Sequence, residues 1–321
     1  MNNKFNLPES VINFSNYLET IKNKSDKTVT AYQSDLGLFF KHLLIQRKQV
    51  SSNADFDKIN ITEIEDCLIQ SITLKDLYKF MSYVEKKREN GAYARARKVA
   101  TLKSYFKYLH KKEKLIKENP AEELEMPKVS RRQPNVLSVQ ESIKLLKSLD
   151  EYEYFYYRDY CILTLFLNCG MRLSELRNIK IEDIRDDVLT IVGKGDKERK
   201  IYLNNSCLKA IDNYLEVRED EKCSNEDKKY LFISRLNKVI SNRAIELLVR
   251  KHFSNAGIDI EKFHTHSMRA SYATMLYNEG VDVETLATSM GHSNSSTTRI
   301  YLNISEDKLR SVSKINPLNN L

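Results

Sequence analysis

Apolar residues recur at three- and four-residue intervals from residue 8 to residue 116, and this spacing predicts a helical domain. The first apolar stripe consists of Val11, Phe14, Leu18 and Ile21. Similar stripes predict helices over 73–87 and 92–112, and another helix begins near Asp26, which we expect to be its N-cap. A polar loop over 46–56 is expected to follow that helix.

The apolar pattern breaks in the middle of the chain, where the composition changes. Three of the five prolines, Pro120, Pro127 and Pro134, fall in this stretch. Because proline cannot continue a helix and stiffens an extended segment, we place a linker here. The predicted domains are 1–127 and 128–321.

The second domain combines helical and strand patterns. A strongly apolar run over 157–168 predicts a central buried helix, and Gly170 suits the end of that helix. Residues 188–192 and 199–203 are predicted to be strands joined by a glycine-containing hairpin, and 230–233 is predicted to be a short strand. The expected fold is therefore mainly α, with a helical first domain and a mixed α/β second domain that contains a small antiparallel sheet.

The charge and the cysteines narrow the class of protein. The chain has 52 Lys and Arg against 44 Asp and Glu, and a net charge of +8. This balance favours a polyanionic partner, although many other soluble proteins are equally basic. The five cysteines contain no Cys-x-x-Cys pair, which argues against a zinc site or a disulfide framework. Without a signal peptide or an apolar run long enough to span a bilayer, the expected location is the cytoplasm.

Basic side chains crowd the predicted helix over 92–112 and the linker. Such a cluster can lie against DNA phosphates, and a basic linker can run across a DNA backbone so that the protein closes around the duplex. The same pattern is also typical of a solubilising surface. The candidate DNA contacts are Arg95, Arg97, Lys98, Lys103, Arg131 and Arg132.

Near the carboxyl terminus, several side chains suit chemistry on a phosphate. His266 and Arg269 are three residues apart, so both leave the same helix face. Gly291 permits a sharp turn that can direct His292 toward that face, and Tyr301 follows nine positions later. A tyrosine hydroxyl, with a pKa of roughly 10, is a poor nucleophile unless a neighbour such as histidine removes its proton. Taken singly, these residues are more typical of a solvated helix face or of side-chain packing.

Two upstream positions add basic groups to this set. Arg172 follows the predicted buried helix, and an arginine so close to a core needs an acidic partner, for which Glu175 is available, or an anionic ligand. Lys194 lies between two glycines in the hairpin, where it can reach a bound minor groove or remain a solvated turn residue. The hairpin does not complete a nucleotide-binding motif, because Glu198 stands where the third glycine would be.

His264 pairs with His266 as His-x-His, but no acidic or cysteine ligand lies nearby in sequence, so no metal site is expected.

These six positions together resemble the active site of the tyrosine recombinases, also called the lambda-integrase family. Gly-Met-Arg-Leu-Ser-Glu-Leu resembles the first arginine box of the family, and Gly-Lys-Gly-Asp-Lys-Glu-Arg resembles its hairpin lysine. His266-x-x-Arg269, Gly-His292-Ser and Tyr301 resemble its second box. The pattern Ser-x-x-Thr-x-x-x-Tyr-x-x-Asp-Leu, which begins at Ser25, is most like the Xer branch. The resemblance covers nearly the whole chain, and departures such as Thr265 in place of proline remove no reacting group.

The resemblance implies a helical, SAM-like core-binding domain followed by a catalytic domain that cuts and rejoins DNA at specific sites. The tyrosine would attack the scissile phosphate, leaving a 3′-phosphotyrosyl link and a free 5′-hydroxyl. Arg172 and Arg269 would hold the nonbridging oxygens. Lys194 would protonate the departing oxygen, His266 would act as base toward the tyrosine or donate a hydrogen bond to the phosphate, and His292 would also hydrogen-bond the phosphate. No metal ion, ATP or other cofactor is implied.

The resemblance also implies partners. The family acts as a tetramer on two double-stranded DNA sites, so we expect a homo-tetramer, or a hetero-tetramer with a second recombinase, and an activating accessory protein. We expect the protein itself to associate with the nucleoid. The segment 306–315 is the expected element of exchange between subunits. Xer-type chromosome dimer resolution is the favoured function. The alternatives are an integrase of a phage or mobile element and a non-catalytic DNA-binding protein of the same fold. A type IB topoisomerase is disfavoured by the helical first domain.

Overall fold

The computed structural model describes residues 6–51, 53–129, 134–193, 198–291 and 298–299. The chain divides into two compact units, Met1–Ser130 and Arg131–Leu321. Helix predominates in both units, and the second unit also contains a small sheet. No helix in the described part of the chain combines the length and apolarity needed to cross a lipid bilayer.

The first unit is helical throughout its described elements, which confirms the expectation from its apolar periodicity. Its helices are α1 (Glu9–Thr20), α2 (Asp26–Gln46), α3 (Asp66–Gln70), α4 (Leu74–Lys86) and α5 (Ala92–Tyr108). A 3-10 turn covers Phe56–Lys58, and a π-helical turn, Leu109–Glu113, extends α5. The prediction for Asp26 was wrong, because Ser25 is the N-cap of α2 and Asp26 is its first helical residue.

Aromatic side chains form the centre of the first unit. Phe39 on α2 meets Phe80 on α4 at a centroid distance of 5.3 Å and Phe106 on α5 at 6.1 Å, both edge to face. All three rings are fully buried. Edge-to-face contact suits the charge distribution of aromatic rings, so this cluster stabilises the packing of three helices that are distant in sequence.

The second unit mixes helices with a three-stranded sheet. Its helices are α6 (Val139–Lys147), α7 (Tyr156–Cys169), α8 (Leu173–Arg177), α9 (Asn205–Val217), α10 (Asn225–Lys228), α11 (Asn242–Asn255), α12 (Thr265–Asn278) and α13 (Val283–Met290). A 3-10 turn at Ile181–Asp183 leads into the sheet. Its strands are β1 (Ile184–Arg185), β2 (Val188–Val192) and β3 (Glu198–Tyr202).

The sheet is antiparallel, in the order β1-β2-β3, which confirms the predicted hairpin. The prediction of a short strand over 230–233 was wrong. Tyr230 and Ile233 each make one isolated bridge, to Lys180 and to Val239, because the chain turns before a ladder can form.

Helix α7 is the centre of the second unit, as its apolar sequence predicted. Residues on all its faces are buried, including Cys161, Ile162, Leu165 and Phe166, and the helix packs against α9 and α12. An all-round apolar helix is stable only inside a protein, surrounded by other elements. This central position fixes the end of α7, where the candidate site begins.

Candidate active site

The described part of the site lies at the carboxyl-terminal ends of two helices, α7 and α13. Gly170 is the C-cap of α7 and Gly291 is the C-cap of α13, and the φ angles of these glycines are 55° and 64°. Side chains are strained in this left-handed region, and a Cβ on Gly170 would also overlap the ring of Tyr272. The two turns present backbone carbonyls to the arginines of the site.

The buried carboxylate of Glu175 joins three arginines. It accepts hydrogen bonds from the Arg172 backbone N–H at 2.7 Å and from the Arg172 guanidinium at 2.6 Å, so Arg172 uses the acidic partner that the sequence offers. Arg199 donates to it at 3.1 Å, and Arg269 Nη1 lies 3.9 Å from Glu175 Oε2. Burial acts to raise the pKa of Glu175, but the Arg172 N–H and the arginine charges outweigh burial and lower the pKa below its ordinary value. Glu175 is therefore an ionised anchor.

The two arginines predicted to bind phosphate are brought together on this anchor and on the end of α13. Arg269 is only 2% exposed and donates to the carbonyl of Gly170 and, at 2.7 Å, to that of Met290. Arg172 is half-buried and donates to the carbonyl of Gly291 at 3.3 Å. Forked guanidiniums held side by side are suited to bind an anionic tetrahedral group.

Arg199 belongs to the same cluster, and the sequence reasoning missed it. Its side chain on β3 is 12% exposed, and Nη1 donates to the carbonyl of Met290 at 2.5 Å. Burial lowers the pKa of Arg199, although the charge of Glu175 opposes the shift. One signal was available: Arg199 shares a strand face with buried Ile201, so alternation alone directs it inward.

His266 lies near the start of α12, on the same face as Arg269. Although His266 is exposed at the surface, neighbouring protein atoms displace part of its hydration, and this loss lowers its pKa. The charges of His264, Arg269 and Arg172 lower the pKa further. A histidine with a lowered pKa is neutral at pH 7, which is the form that accepts a proton.

The described residues contain no group of three His, Cys, Asp or Glu side chains arranged to hold a metal ion. Several predicted positions lie outside the described residues. They are Lys194, His292, Tyr301, Arg131, Arg132 and the segment 306–315.

Two of the predicted DNA contacts on α5 share one buried carboxylate. Asp35 on α2 accepts hydrogen bonds from Arg97 at 2.6 Å and from Lys98 at 2.8 Å. The Arg97 side chain is 44% exposed, but that of Lys98 is 7% exposed. The expectation for Lys98 needs correction, because a buried ammonium that is paired with a carboxylate does not face a phosphate.

The other two basic candidates on α5 also have partners within the first unit. Arg95 forms an ion pair with Glu85 on α4. Lys103 donates to the carbonyl of Glu122 at 2.9 Å. Both cations are partly exposed. A surface ion pair such as that of Arg95 is weak and can exchange for a phosphate, and the Lys103 ammonium, which pairs with no acidic side chain among the described residues, keeps its charge available for one.

The amino-acid sequence matches a known protein family. Residues 135–308 match the phage integrase family. Over 312 residues the chain is 47% identical to a protein of Caldanaerobacter subterraneus subsp. tengcongensis described as tyrosine recombinase XerC. The alignment covers 97% of this chain and 87% of that protein.

Solved structures share the fold at lower identity. The XerH site-specific recombinase, bound to a palindromic difH substrate in a post-cleavage complex, aligns with a TM-score of 0.72 at 22% identity. The alignment covers 94% of this chain and 84% of that one. A lambda integrase tetramer bound to a Holliday junction aligns with a TM-score of 0.63 at 15% identity, over 92% of this chain and 76% of that one.

Proposed function

The chain belongs to the phage integrase family of tyrosine recombinases, and from this premise we propose that it performs Xer-type chromosome dimer resolution. It would cut and rejoin DNA at a specific site through a covalent 3′-phosphotyrosyl intermediate. The 47% identity to a XerC recombinase, over nearly the whole length of both chains, supports the Xer branch.

One observation carries the catalytic part of the proposal. Arg172 and Arg269, almost one hundred positions apart, share Glu175 as a partner and both donate to carbonyls at the end of α13. Arginines held in this way need no rearrangement when charge builds on the nonbridging oxygens of a phosphate, so they stabilise the transition state.

The remaining groups have defined tasks in the proposed reaction. Tyr301 attacks the scissile phosphorus, and the bond to the 5′ oxygen breaks as the phosphotyrosyl bond forms. Neutral His266 accepts the tyrosine proton, Lys194 donates a proton to the departing 5′ oxygen, and His292 donates a hydrogen bond to the phosphate. The free 5′-hydroxyl of a partner duplex then reverses the step and joins the strands.

The assembly we propose follows the family. Domain 1–127 binds the core of the DNA site, with contacts from Arg95, Arg97, Lys103 and the basic linker, and domain 128–321 carries the chemistry. Four subunits act on two DNA duplexes, either as copies of this chain or together with a second recombinase, and an accessory protein activates them. The tetrameric lambda integrase of similar fold supports this stoichiometry.

Covalent capture in cells tests the proposal and also identifies the DNA site. Wild-type protein and Tyr301→Phe are expressed in host cells, the cells are lysed in denaturant without crosslinker, and DNA still attached to the protein is sequenced. We expect attached DNA at one chromosomal locus for the wild type and none for Tyr301→Phe.

The other outcomes separate the alternatives. Attached DNA at the ends of an inserted element would instead identify an integrase of a mobile element. Absence of attached DNA from the wild type, in cells where a control recombinase is trapped, would contradict the proposed chemistry if adding the accessory protein does not restore it.

A further inference from the structure

We propose that Arg199 is a positioning residue for DNA cleavage, because it holds Glu175 and the end of α13 in the arrangement that aligns Arg172 and Arg269. The inference rests on the proposed function. Arg199 has no assigned part in the reaction, and its side chain binds other groups of the site instead of facing a substrate.

The contacts of Arg199 bridge two separate elements. One arm of its guanidinium donates to the Glu175 carboxylate on α8 at 3.1 Å, and the other donates to the Met290 carbonyl on α13 at 2.5 Å. The Met290 carbonyl also accepts from Arg269, so one carbonyl and one carboxylate are shared by both arginines. Arg199 and Arg269 therefore fix each other's position through common acceptors.

Arg199 also packs directly against the turn that precedes His292. A Cβ added to Gly291 would overlap the Arg199 guanidinium, which shows that this guanidinium fills the space beside the turn. The carbonyl of Gly291 is the acceptor for Arg172. Movement of the turn would therefore displace the acceptors of both phosphate-binding arginines.

Besides its bridging contacts and its packing, Arg199 affects the electrostatic balance around Glu175. Glu175 neutralises part of the charge of three nearby arginines. Without Arg199, the carboxylate would be shared by two arginines only, and Arg269, now 3.9 Å away, would be drawn toward it. A guanidinium held more tightly by protein is less free to bind a phosphate, so the two effects of losing Arg199 act in the same direction.

The fork of arginine is needed for this bridge. Lysine keeps the positive charge but offers a single nitrogen, which cannot reach a carboxylate and a carbonyl on different elements in the same geometry. Methionine fills part of the volume but offers no donor. The pair Arg199→Lys and Arg199→Met therefore separates the charge from the bridging geometry.

Arg218 provides a matched control elsewhere in the same unit. Its side chain is 5% exposed, pairs with Asp220 and donates to the carbonyls of Leu231 and Tyr230. It is a buried arginine that also bridges a carboxylate and backbone carbonyls, but among the described residues its hydrogen bonds go only to Asp220, Lys228, Tyr230 and Leu231, none of which belongs to the site. Arg218→Met reports the effect of losing such a bridge on folding alone.

The test uses full-length protein and a duplex from the captured chromosomal locus, nicked beside the scissile phosphate so that the cut strand cannot rejoin. The rate of covalent complex formation, the Kd for the duplex and the thermal midpoint are measured for each variant. We expect Arg199→Met to slow covalent complex formation about a hundredfold with an unchanged Kd, because a displacement of about 1 Å has an effect of this size. Arg199→Lys should slow it about tenfold. Arg218→Met should lower the thermal midpoint without changing the rate below that midpoint.

A second substrate separates positioning from loss of stability. In a methylphosphonate duplex one nonbridging oxygen is a methyl group, so the phosphate is neutral and depends less on aligned arginines. We expect the deficit of both Arg199 variants to shrink on this duplex, whereas a merely unstable variant would show the same deficit on both.

Three results would decide against the inference or its premise. Wild-type rates for both Arg199 variants would overturn it. A rate loss that Arg218→Met shares, with the same deficit on both duplexes, would assign Arg199 a structural role only. Absence of covalent complex with the wild type itself would refute the proposed function, and so is distinguishable from failure of this inference.

Discussion

At the scale of single residues, the protonation of His266 is set by its surroundings. Loss of hydration, together with electrostatic repulsion from His264, Arg269 and Arg172, lowers its pKa from the ordinary value of 6.5. The neutral form of His266 therefore predominates at pH 6.5 and above, and the proposed role as base needs this form. Glu175, with its lowered pKa, remains ionised through the same range and holds Arg172.

We predict that the rate of covalent complex formation rises with pH in a single step whose midpoint lies below 6.5. The sign follows from the shift, because protonation of His266 removes the base and a lowered pKa moves that loss to more acidic pH. The measurement is the single-turnover rate on the nicked duplex from pH 5 upward.

Two substitutions assign the step to His266. His266→Gln should remove the step and leave a slower, flatter profile. His264→Gln should keep the step and move its midpoint upward, because the interaction with His264 that lowers the pKa of His266 is lost. A wild-type midpoint at or above 6.5, or a step that persists in His266→Gln, would contradict this role.

At the scale of elements, two adjacent basic residues on α5, Arg97 and Lys98, differ in how far they are exposed to solvent. Arg97 and Lys98 bind the same Asp35, but only the Arg97 side chain reaches the surface. A buried ammonium contributes to the packing of α2 against α5, whereas an exposed guanidinium is available to DNA.

We predict that Arg97→Gln weakens DNA binding and that Lys98→Met does not change its dependence on salt. The slope of log K against log salt is negative, and each phosphate contact that is lost reduces its magnitude by about 0.9. Arg97→Gln should show this change, measured by titration of a labelled duplex at several salt concentrations. An equal change of slope in Lys98→Met would mean that Lys98 leaves Asp35 to contact DNA.

The same helix shows which features a sequence can predict. The apolar stripe of α5 was visible as Val99, Leu102 and Phe106, because periodicity is local. The burial of Lys98 was not visible, because its partner Asp35 lies 63 positions earlier on another helix. The short elements α3 and β1 were missed for a related reason, since five and two residues are too few to show a period.

The site divides in the same way between local and distant contacts. Glu175 could be identified from the sequence as an available partner of Arg172, because an arginine beside a core needs an acidic partner or an anionic ligand and Glu175 lies only three residues away. The carbonyls of Gly170, Met290 and Gly291 were not predictable as acceptors, since every residue has a carbonyl and only the tertiary fold selects which ones face an arginine. To predict that Arg199 belongs to the site, one needs both the alternation of β3, which directs the side chain inward, and the tertiary fold, which places its acceptors.

At the scale of the whole molecule, the excess of basic residues and the cluster of arginines serve one purpose in our account. The charge of +8 favours binding to DNA, and the cluster around Glu175 prepares the second unit for one particular phosphate. Affinity for any DNA is therefore separable from cleavage at one site, which is why the tests above measure Kd and rate separately.

The proposed reaction depends above all on a covalent bond between Tyr301 and DNA. Trypsin cuts after Arg299 and Lys308, and the resulting peptide, IYLNISEDK, contains Tyr301 as its sole tyrosine. Covalent complex made on the nicked duplex is digested with trypsin and nuclease, and the peptides are sequenced by mass spectrometry. We predict a nucleotide attached through its 3′ phosphate to Tyr301 in this peptide. A nucleotide on any other residue, or one attached through its 5′ phosphate, would contradict it.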